Sequence, residues 1–464
     1  MDILLSHGYF LGEDAVEQEV MKPYPPLGLL YLSSYLKRCG FSVEVFDSTF
    51  SSMAGFADRV KKARPPVVGL SANLMTRVKV VEMIRLCHDL GSWVVVGGAE
   101  PANYARQYLA QGADVVVEGE GEETLEQLLR HRLESQPESL AEIEGILFAD
   151  GAGGIVRTPS RSMIRELDTL PFPDREAIDL ERYLDVWRRH HGRGSVSIIT
   201  SRGCPYTCSW CSHGVYGFSY RSRSPHKVAA EMELLIRTYQ PDMLWYADDV
   251  FTMNRRWLFA FSRELQMRNL RIPFETISRE DRLDAEVIRE LAAMGCFRLW
   301  IGAESGSQQV LDAMQRRTSA SRVVEMVRLL QDNGIEAGLF IMLGYAGEKR
   351  EDVEATLRFL KNASPDRFLT TVSYPIKGTS FFDELGDRIV PNGSWETGTD
   401  RDLGVEGRYP DRFYDHAGRW IHHQMKLHRE LHSDRPDYMK LIRSFTGAKV
   451  GRLGMLAPWN QVQD

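Results

Sequence analysis

The sequence predicts an α/β protein built from two parallel β/α units in tandem, followed by a mostly helical C-terminal segment. Two observations predict this class: short β-branched runs alternate with amphipathic helical patterns over most of the chain, and the alternation pauses once, at a Gly-rich hairpin followed by a Pro-bearing linker. The expected boundaries are 1–142 for the first unit, 143–190 for the hairpin and linker, 191–378 for the second unit and 379–464 for the C-terminal segment.

The first unit has the pattern of a doubly wound parallel sheet. Its predicted strands are ILLSH, VEVFDST, VVGLSAN, WVVVGGAE and DVVVEGEG, with a helical stretch between successive strands. Glycines and acidic or amide residues follow several of these strands. Because ligands of such sheets bind outside the carboxyl ends of the strands, we expect a ligand crevice at this edge.

The second unit has six predicted strands: SVSIITSRG, MLWYADD, FETISR, FRLWIGAES, AGLFIMLGY and FLTTVSYP. One or two amphipathic helices separate each strand from the next. Parallel strands joined by helical crossovers favour a closed or partial barrel, whose active face carries the loops after the strands.

Composition excludes several classes of protein. The net charge of −7 over 464 residues gives no general reason to bind polyanions, so we expect no nucleic-acid partner. No stretch approaches the roughly 20 apolar residues of a transmembrane helix, and the first residues lack a secretory signal. We expect a cytoplasmic protein without a transmembrane segment. The six cysteines do not suggest a disulfide framework.

Three of the cysteines form a tight motif. Cys204, Cys208 and Cys211 are spaced C-x3-C-x2-C directly after the first strand of the second unit. Three thiolates on one loop can bind three irons of a cubane cluster and leave the fourth iron open. The alternative is a zinc site, which would need a fourth ligand such as His213. Cys39 and Cys87 are best interpreted as small core residues.

This motif resembles the signature of the radical S-adenosylmethionine (SAM) superfamily, in which an aromatic residue, here Trp210, precedes the third cysteine. The resemblance spans about residues 195–375 and includes YADD, WIGAES and AGLFIMLGY, although the Gly-Gly-Glu usual after the second strand is absent. It implies a [4Fe-4S] cluster on the three cysteines, whose open iron binds SAM and cleaves it to a 5'-deoxyadenosyl radical. The implied SAM-contacting residues are Tyr206, Trp210, Ala247, Asp248, Asp249, Ser278, Glu304, Ser305 and Leu343.

The first unit resembles the flavodoxin-like or Rossmann-like cobalamin-binding domains that precede many radical SAM barrels. The resemblance rests on YPPLGLLYLSSYL, GLSAN, GGAEP and DVVVEGEGEETL, and the implied cobalamin contacts are Pro26, Gly28, Ser71, Gly97, Gly98, Glu118, Gly119 and Glu120. The alternative is that the glycines only form turns. The usual Gly-Gly-Pro-His is replaced by GGAE, and no Asp-x-His-x-x-Gly motif occurs. We therefore expect cobalt without a lower histidine ligand, and interpret His7 as a polar residue at a strand end.

Together these resemblances imply a cobalamin-dependent radical SAM enzyme that methylates an unactivated carbon of a small molecule and takes electrons from a flavodoxin or ferredoxin. Cyclisation or ring contraction, as in tetrapyrrole or hopanoid enzymes of this type, remains the alternative. A tRNA methylthiotransferase and a non-catalytic cobalamin sensor are less favoured. We expect the substrate between the two units, covered by the segment after Thr379, with Tyr9, Phe10, Tyr374, Trp395 and Tyr414 as candidate wall residues.

Overall fold

The N-terminal unit is a mixed seven-stranded sheet with helices on both faces. The computed structural model describes residues 1–134, 139–433 and 435–457. The strands are β1 (Ile3–His7), β2 (Val43–Phe46), β3 (Val67–Ser71), β4 (Trp93–Gly97), β5 (Val115–Val117), β6 (Ile146–Ala149) and β7 (Ile155–Arg157). Their order in the sheet is β2-β1-β3-β4-β5-β6-β7, and β1 to β5 are parallel. The helices are α1 (Ala15–Val20), α2 (Leu27–Arg38), α3 (Met53–Ala63), α4 (Arg77–Asp89), α5 (Ala105–Ala110) and α6 (Glu122–Leu133).

The Gly-rich hairpin belongs to this sheet. Its strands β6 and β7 add to the edge of β5 in antiparallel orientation, with Val116 opposite Leu147. The parallel strands are covered on both faces, by one core that contains Val68 and Val94 and another that contains Ile3 and Val95. Burial on both faces explains why these strands are almost continuous runs of β-branched residues.

The second unit is a six-stranded parallel partial barrel, which confirms the predicted fold class and all six predicted strands. Its sheet has the order β8-β11-β12-β13-β14-β15. The strands are β8 (Ser195–Ile198), β9 (Ser201–Arg202), β10 (Arg221–Ser222), β11 (Met243–Tyr246), β12 (Phe274–Ser278), β13 (Cys296–Glu304), β14 (Glu336–Leu343) and β15 (Arg367–Val372); β9 and β10 form a separate antiparallel pair. The helices are α7 (Leu180–His191), α8 (Pro225–Tyr239), α9 (Arg255–Met267), α10 (Ala285–Met294), α11 (Gln308–Ala313), α12 (Ala320–Asp332) and α13 (Arg350–Ala363).

Capping residues and a glycine determine where the barrel helices begin and end. The side chains of Ser224, Asn254, Asp284 and Ser319 cap α8, α9, α10 and α12 by accepting hydrogen bonds from backbone amides of the first turn. Helix α10 ends at Gly295, whose φ of 103° is readily adopted by glycine. The helices then pack their apolar faces on the strands in one large core.

The C-terminal segment connects both units. It contains α14 (Ser380–Leu385), β16 (Ile389–Val390), β17 (Gly404–Val405), α15 (Asp411–Leu431) and α16 (Tyr438–Leu456). Arg77 of α4 forms buried ion pairs with Glu100 and with Asp400, which fastens this segment to the N-terminal unit. Within the described ranges, every helix is too short or too polar to cross a bilayer. The last seven residues of the expected 379–464 segment lie outside the described residues.

Candidate active site

The three-cysteine motif lies on the loop that follows β8, at the carboxyl end of the barrel strands. Gly203 opens this loop with a φ of 85°, and a side chain there would overlap the carbonyl oxygen of Ser219. The Cys211 amide donates to the Cys208 carbonyl at 3.1 Å. Cys204 and Cys208 are half-buried and Cys211 is exposed, so the loop presents its thiols toward open space.

The thiols have the chemistry of cluster ligands. Burial raises the pKa of Cys204, Cys208 and Cys211, in the last case to about 12, and the mutual proximity of the sulfurs adds to the shift of Cys211. Burial and the neighbouring sulfurs thus disfavour a free thiolate at Cys211. Bound iron supplies the positive charge that such thiolates need.

No set of three or more His, Cys, Asp or Glu side chains, among the residues described, is placed to enclose a single metal ion. His213 Nδ1 lies 3.0 Å from the Cys211 carbonyl oxygen, and its buried Nε2 has no hydrogen-bond partner among the described residues. The loop itself supplies three thiols, the donor set of a cubane cluster, and no fourth ligand, among the described residues, is gathered beside them as tetrahedral zinc would require.

Arg279 supplies a cation beside the motif. Its Nη1 donates to Cys208 Sγ at 3.7 Å, and its other guanidinium nitrogens bond to Asp281 and to the Arg316 carbonyl. The Tyr206 ring centroid lies 3.6 Å from the Arg279 guanidinium carbon. Sequence analysis missed Arg279, although its position directly after β12 was a signal for a strand-end functional residue.

Ser209 anchors the centre of the cysteine loop. Its amide and hydroxyl both donate to the Met314 carbonyl, at 3.2 and 3.1 Å, and its hydroxyl lies 2.7 Å from the Tyr345 hydroxyl. The Phe381 amide of α14 donates to the Ser209 carbonyl at 2.9 Å. Trp210 packs beside these contacts in a small apolar cluster that includes Met314, Tyr345 and Phe381.

The residues after β11 have different environments. The Asp248 carboxylate is buried and accepts hydrogen bonds from the Thr200 and Ser201 amides at 2.7 and 2.9 Å, so it fixes the start of the cysteine loop. Burial raises its pKa to about 6, against the effect of these hydrogen bonds. Ala247 is half-buried, while the Asp249 side chain is exposed toward the mouth of the barrel.

Glu304 is the strongest candidate ligand-binding group at the end of β13. It adopts a left-handed conformation with φ of 62°, which is rare for a non-glycine residue and is concentrated at functional sites. Burial raises its pKa to about 8, and the nearby Arg279 only partly opposes this shift. Among the described residues no hydrogen bond to its carboxyl group is formed, and its nearest cation is Arg316 at 4.0 Å. The carboxyl group is thus available to a ligand.

Three other predicted SAM contacts are fully buried. The Ser278 hydroxyl bonds to Thr252, and the Ser305 hydroxyl lies 3.2 Å from that of Thr356. Leu343 ends β14 within the barrel core. These side chains support the strand ends, and any contact with SAM would have to come from their backbone.

A large cavity lies at the carboxyl edge of the N-terminal sheet. It has a volume of about 1130 Å³ including its open mouth. Six predicted cobalamin contacts line it: Gly28, Ser71, Gly97, Gly98, Gly119 and Glu120. Pro26 lines a neighbouring cavity, which also shares Gly28 and Ser71 with the first, whereas Glu118 pairs with Arg157 at the sheet edge. Small residues at this rim leave room for a flat, bulky macrocycle.

The barrel closes the other side of this cavity. Ile199, Arg202, Val215 and Tyr216, all from the region of the cysteine loop, complete its wall. Gly214 of the loop touches the backbone of Ala99 so closely that a side chain at Gly214 would overlap it. The predicted cobalamin site therefore borders the segments on either side of the cysteine motif, although none of the three cysteines lines the cavity.

Glu120 and His7 are engaged in structural contacts. Glu120 is buried and pairs with Arg202 and Arg221, each at 2.7 Å. His7 Nε2 lies 3.1 Å from Asp47, and its Nδ1 accepts from the Tyr9 amide at 3.2 Å. Both ring nitrogens of His7 are used, which agrees with its interpretation as a polar residue at a strand end.

Comparison with known protein families matches the two units separately. Residues 198–360 match the radical SAM superfamily, and residues 15–129 match the B12 binding domain. The chain therefore contains a radical SAM domain and a B12-binding domain. These domains imply a [4Fe-4S] cluster, SAM and cobalamin as cofactors, as the sequence predicted.

Relatives of this radical SAM protein include methyltransferases and cyclases. It is 26% identical to an uncharacterized methyltransferase of Pyrococcus horikoshii over 82% of this chain and 83% of the relative. It is 26% identical to an anaerobic magnesium-protoporphyrin IX monomethyl ester cyclase of Rubrivivax gelatinosus, over 80% of this chain and 68% of the relative. It is also 28% identical to a hopanoid C-3 methylase of Methylococcus capsulatus, over 68% of this chain and 60% of the relative.

Two solved structures share the fold of this radical SAM protein. One is the radical SAM methyltransferase TsrM from Kitasatospora setae with cobalamin and a [4Fe-4S] cluster bound, with a TM-score of 0.69, 21% identity and coverage of 82% of this chain and 74% of that one. The other is the cobalamin-dependent SAM radical enzyme OxsB with aqua-cobalamin bound, with a TM-score of 0.76 and 17% identity. It covers 98% of this chain and 72% of its own chain.

Proposed function

We propose that this radical SAM protein is a cobalamin-dependent methyltransferase that transfers a methyl group to an unactivated carbon of a small molecule. The observation that carries the proposal is the shared cavity: its walls come from the glycine-rich rim of the B12-binding domain and from the loop that holds the three cysteines. A methyl donor in this cavity would face a substrate activated beside the cysteine loop. Relatives named as methyltransferases support this choice.

The thiolates of Cys204, Cys208 and Cys211 hold the [4Fe-4S] cluster in this proposal. When bound, the cluster with SAM would supply radical chemistry at carbon, and cobalamin would supply a methyl group. The chain itself would position these groups. Arg279 places a positive charge at Cys208, and the Glu304 carboxyl, whose raised pKa favours the neutral form, would offer a hydrogen bond to SAM.

The cobalamin site is assigned to the rim formed by Gly28, Ser71, Gly97, Gly98 and Gly119. Gly98 has a φ of 119°, and a side chain there would overlap the Ala72 carbonyl oxygen, so the rim requires glycine at this position. His7 would not serve as a ligand to cobalt, because both of its ring nitrogens are already bonded.

We also infer a flavodoxin or ferredoxin as electron donor and a cytoplasmic location. All six cysteines are free, and a reducing compartment keeps such thiols available for iron. The exposed position of Cys211 brings the cluster near the protein surface, where a donor protein can dock. Nucleic acid is not proposed as a partner.

Cyclisation or rearrangement is the second candidate reaction. It is favoured by the relatives named anaerobic magnesium-protoporphyrin IX monomethyl ester cyclase, which are 26% and 27% identical to this chain, against 26% for the named methyltransferase of Pyrococcus horikoshii. The same cavity serves either reaction, so the products formed from SAM must distinguish them.

The test is anaerobic reconstitution with iron, sulfide and cobalamin, followed by incubation with SAM and a strong reductant. We expect both 5'-deoxyadenosine and S-adenosylhomocysteine by mass spectrometry. 5'-Deoxyadenosine alone would favour cyclisation and refute methyl transfer. Cys208→Ala should lose iron and 5'-deoxyadenosine formation while still binding cobalamin, and Cys39→Ala, which changes the cysteine directly after α2 and outside the loop, should lose neither. Retained SAM cleavage in Cys208→Ala would refute the cluster assignment.

A further inference from the structure

Helix α16 carries an unusual concentration of exposed apolar side chains. Seven large apolar residues of this helix are between 44% and 78% exposed: Tyr438, Met439, Ile442, Phe445, Val450, Leu453 and Leu456. They form one stripe along the helix, because most are spaced three or four residues apart. We call this stripe the α16 apolar face.

The orientation of the α16 apolar face is fixed by the opposite side of the helix. There Gly447, Gly451 and Gly454 pack against His423, Trp420 and His416 of α15. A side chain at Gly451 would come within 2.9 Å of Trp420, and side chains at the other two glycines would overlap the histidine rings. Rotation of α16 to bury its apolar face would therefore break this close packing.

The charges on α16 are all positive. The helix contains Lys440, Arg443, Lys449 and Arg452 and no acidic residue, within a chain of net charge −7. Lys440 pairs with Asp437 at 3.8 Å. In the part of the chain that the structure describes, the other three cations make no ion pair, and Lys449 Nζ lies 4.6 Å from the centroid of the Phe445 ring.

We propose that the α16 apolar face binds the surface of a bilayer that contains anionic lipids. At about 100° per residue, Arg443 and Arg452 border the stripe, Lys449 lies within it and Lys440 lies on the side of the glycines. A helix with such an exposed apolar stripe and cations at its borders lies in the plane of the interface, with its apolar side chains among the acyl chains and Arg443, Lys449 and Arg452 at the phosphate level. No helix in the described ranges can span a bilayer, so the contact is peripheral. This inference is independent of the reaction proposed above.

Charge favours a lipid surface over a second copy of this chain. A symmetric contact between two α16 helices would bring eight cations together without a single carboxylate from either helix, and like charges at an interface disfavour association. An anionic bilayer instead offers complementary charge along the whole helix.

The test uses the full chain and sedimentation with vesicles. We expect binding to phosphatidylcholine vesicles that contain 25 mol% phosphatidylglycerol, and binding reduced roughly tenfold or more when phosphatidylglycerol is omitted or salt is raised from 0.05 to 0.5 M. Ile442→Glu with Leu453→Glu should reduce binding to the anionic vesicles by about tenfold or more. Leu234→Glu with Met267→Glu, which adds the same charge to exposed apolar positions of α8 and α9, should bind like the unchanged chain.

Circular dichroism should show that both double variants keep their helical content. The proposal is overturned if the unchanged chain does not sediment with the anionic vesicles, or if the α16 variant binds them equally well. It is also overturned if sedimentation velocity shows a dimer that Ile442→Glu with Leu453→Glu dissociates, because the α16 apolar face would then be occupied by a second copy.

Discussion

Arg202 joins the two units beside the cysteine loop, and its removal should be strongly destabilising. Its Nη1 lies 2.7 Å from Glu120 and its Nη2 lies 2.6 Å from Glu122, and the three side chains are at most 6% exposed. The guanidinium also lies 5.3 and 5.5 Å from the ring centroids of Tyr31 and Tyr216. Arg202→Met would keep most of the side-chain volume but leave two carboxylates buried with one fewer cation.

The expected magnitude follows from burial. Removing one partner of a buried ion pair costs about 3–5 kcal/mol of unfolding free energy, because the remaining charge stays desolvated. Arg255 provides the matched control, since it also pairs with two carboxylates, Asp284 and Glu286, but all three side chains are about half exposed. Arg255→Met should cost only about 0–1 kcal/mol.

Urea unfolding, followed by tryptophan fluorescence and circular dichroism, measures the difference between the two variants. Arg202→Met combined with Glu122→Gln should recover part of the loss, because the unpaired Glu122 charge is removed while Glu120 keeps its partner Arg221. Equal effects of Arg202→Met and Arg255→Met would refute the argument that burial makes the Arg202 contacts strong. The absence of any recovery in the Arg202→Met, Glu122→Gln variant would show that packing, rather than charge, dominates.

Three further predictions concern single side chains. Burial raises the pKa of Glu348 to about 8, so its neutral form stabilises the fold at low pH and this stability is lost as the pH rises through about 8. Glu348→Gln should thus unfold at a higher temperature than the unchanged chain at pH 8.5 but not at pH 5. The control Glu351→Gln, at an exposed position, should show no such pH dependence. Equal shifts of the unfolding temperature of Glu348→Gln at both pH values would contradict this. Arg279→Gln should lower the midpoint potential of the reconstituted cluster by roughly tens of millivolts, since a nearby cation stabilises the reduced form. An unchanged potential in an electron paramagnetic resonance titration would show that the Arg279 charge does not stabilise the reduced cluster. No protein atom lies within 4 Å of a Cβ atom added at Gly28 or Gly12, but only Gly28 lines the cavity. Gly28→Leu should therefore weaken cobalamin binding at least tenfold with little change in thermal stability, and Gly12→Leu should change neither. Equal cobalamin affinity in both variants would place cobalamin elsewhere.

The architecture was predictable because its signals are local. All six barrel strands and the five parallel strands of the first unit stand out in the sequence as short apolar runs separated by amphipathic helices. The hairpin was also predicted, but its addition to the edge of β5 was not, because strand pairing at a sheet edge depends on contacts outside the hairpin itself.

The site was predictable where one short motif contains the chemistry and not where distant residues meet. The three cysteines and the glycines of the cavity rim could be found because their spacing is itself informative. Arg202 could not be assigned a role, because its partners Glu120 and Glu122 precede it by 82 and 80 residues. Asp248 was expected to contact SAM, and the structure shows its carboxylate bonded to the Thr200 and Ser201 amides. No local sequence pattern predicts those hydrogen bonds.

The hydrogen bond from the Phe381 amide to the Ser209 carbonyl has a consequence for biosynthesis. Because α14 follows the whole barrel in the chain, a ribosome must make some 170 residues after Cys211 before this support exists. A nascent barrel therefore has all three thiols but lacks one brace of the loop that carries them. Iron and sulfide delivered at that stage would meet a less constrained loop, so cluster assembly is favoured once α14 has been made and has packed against the loop.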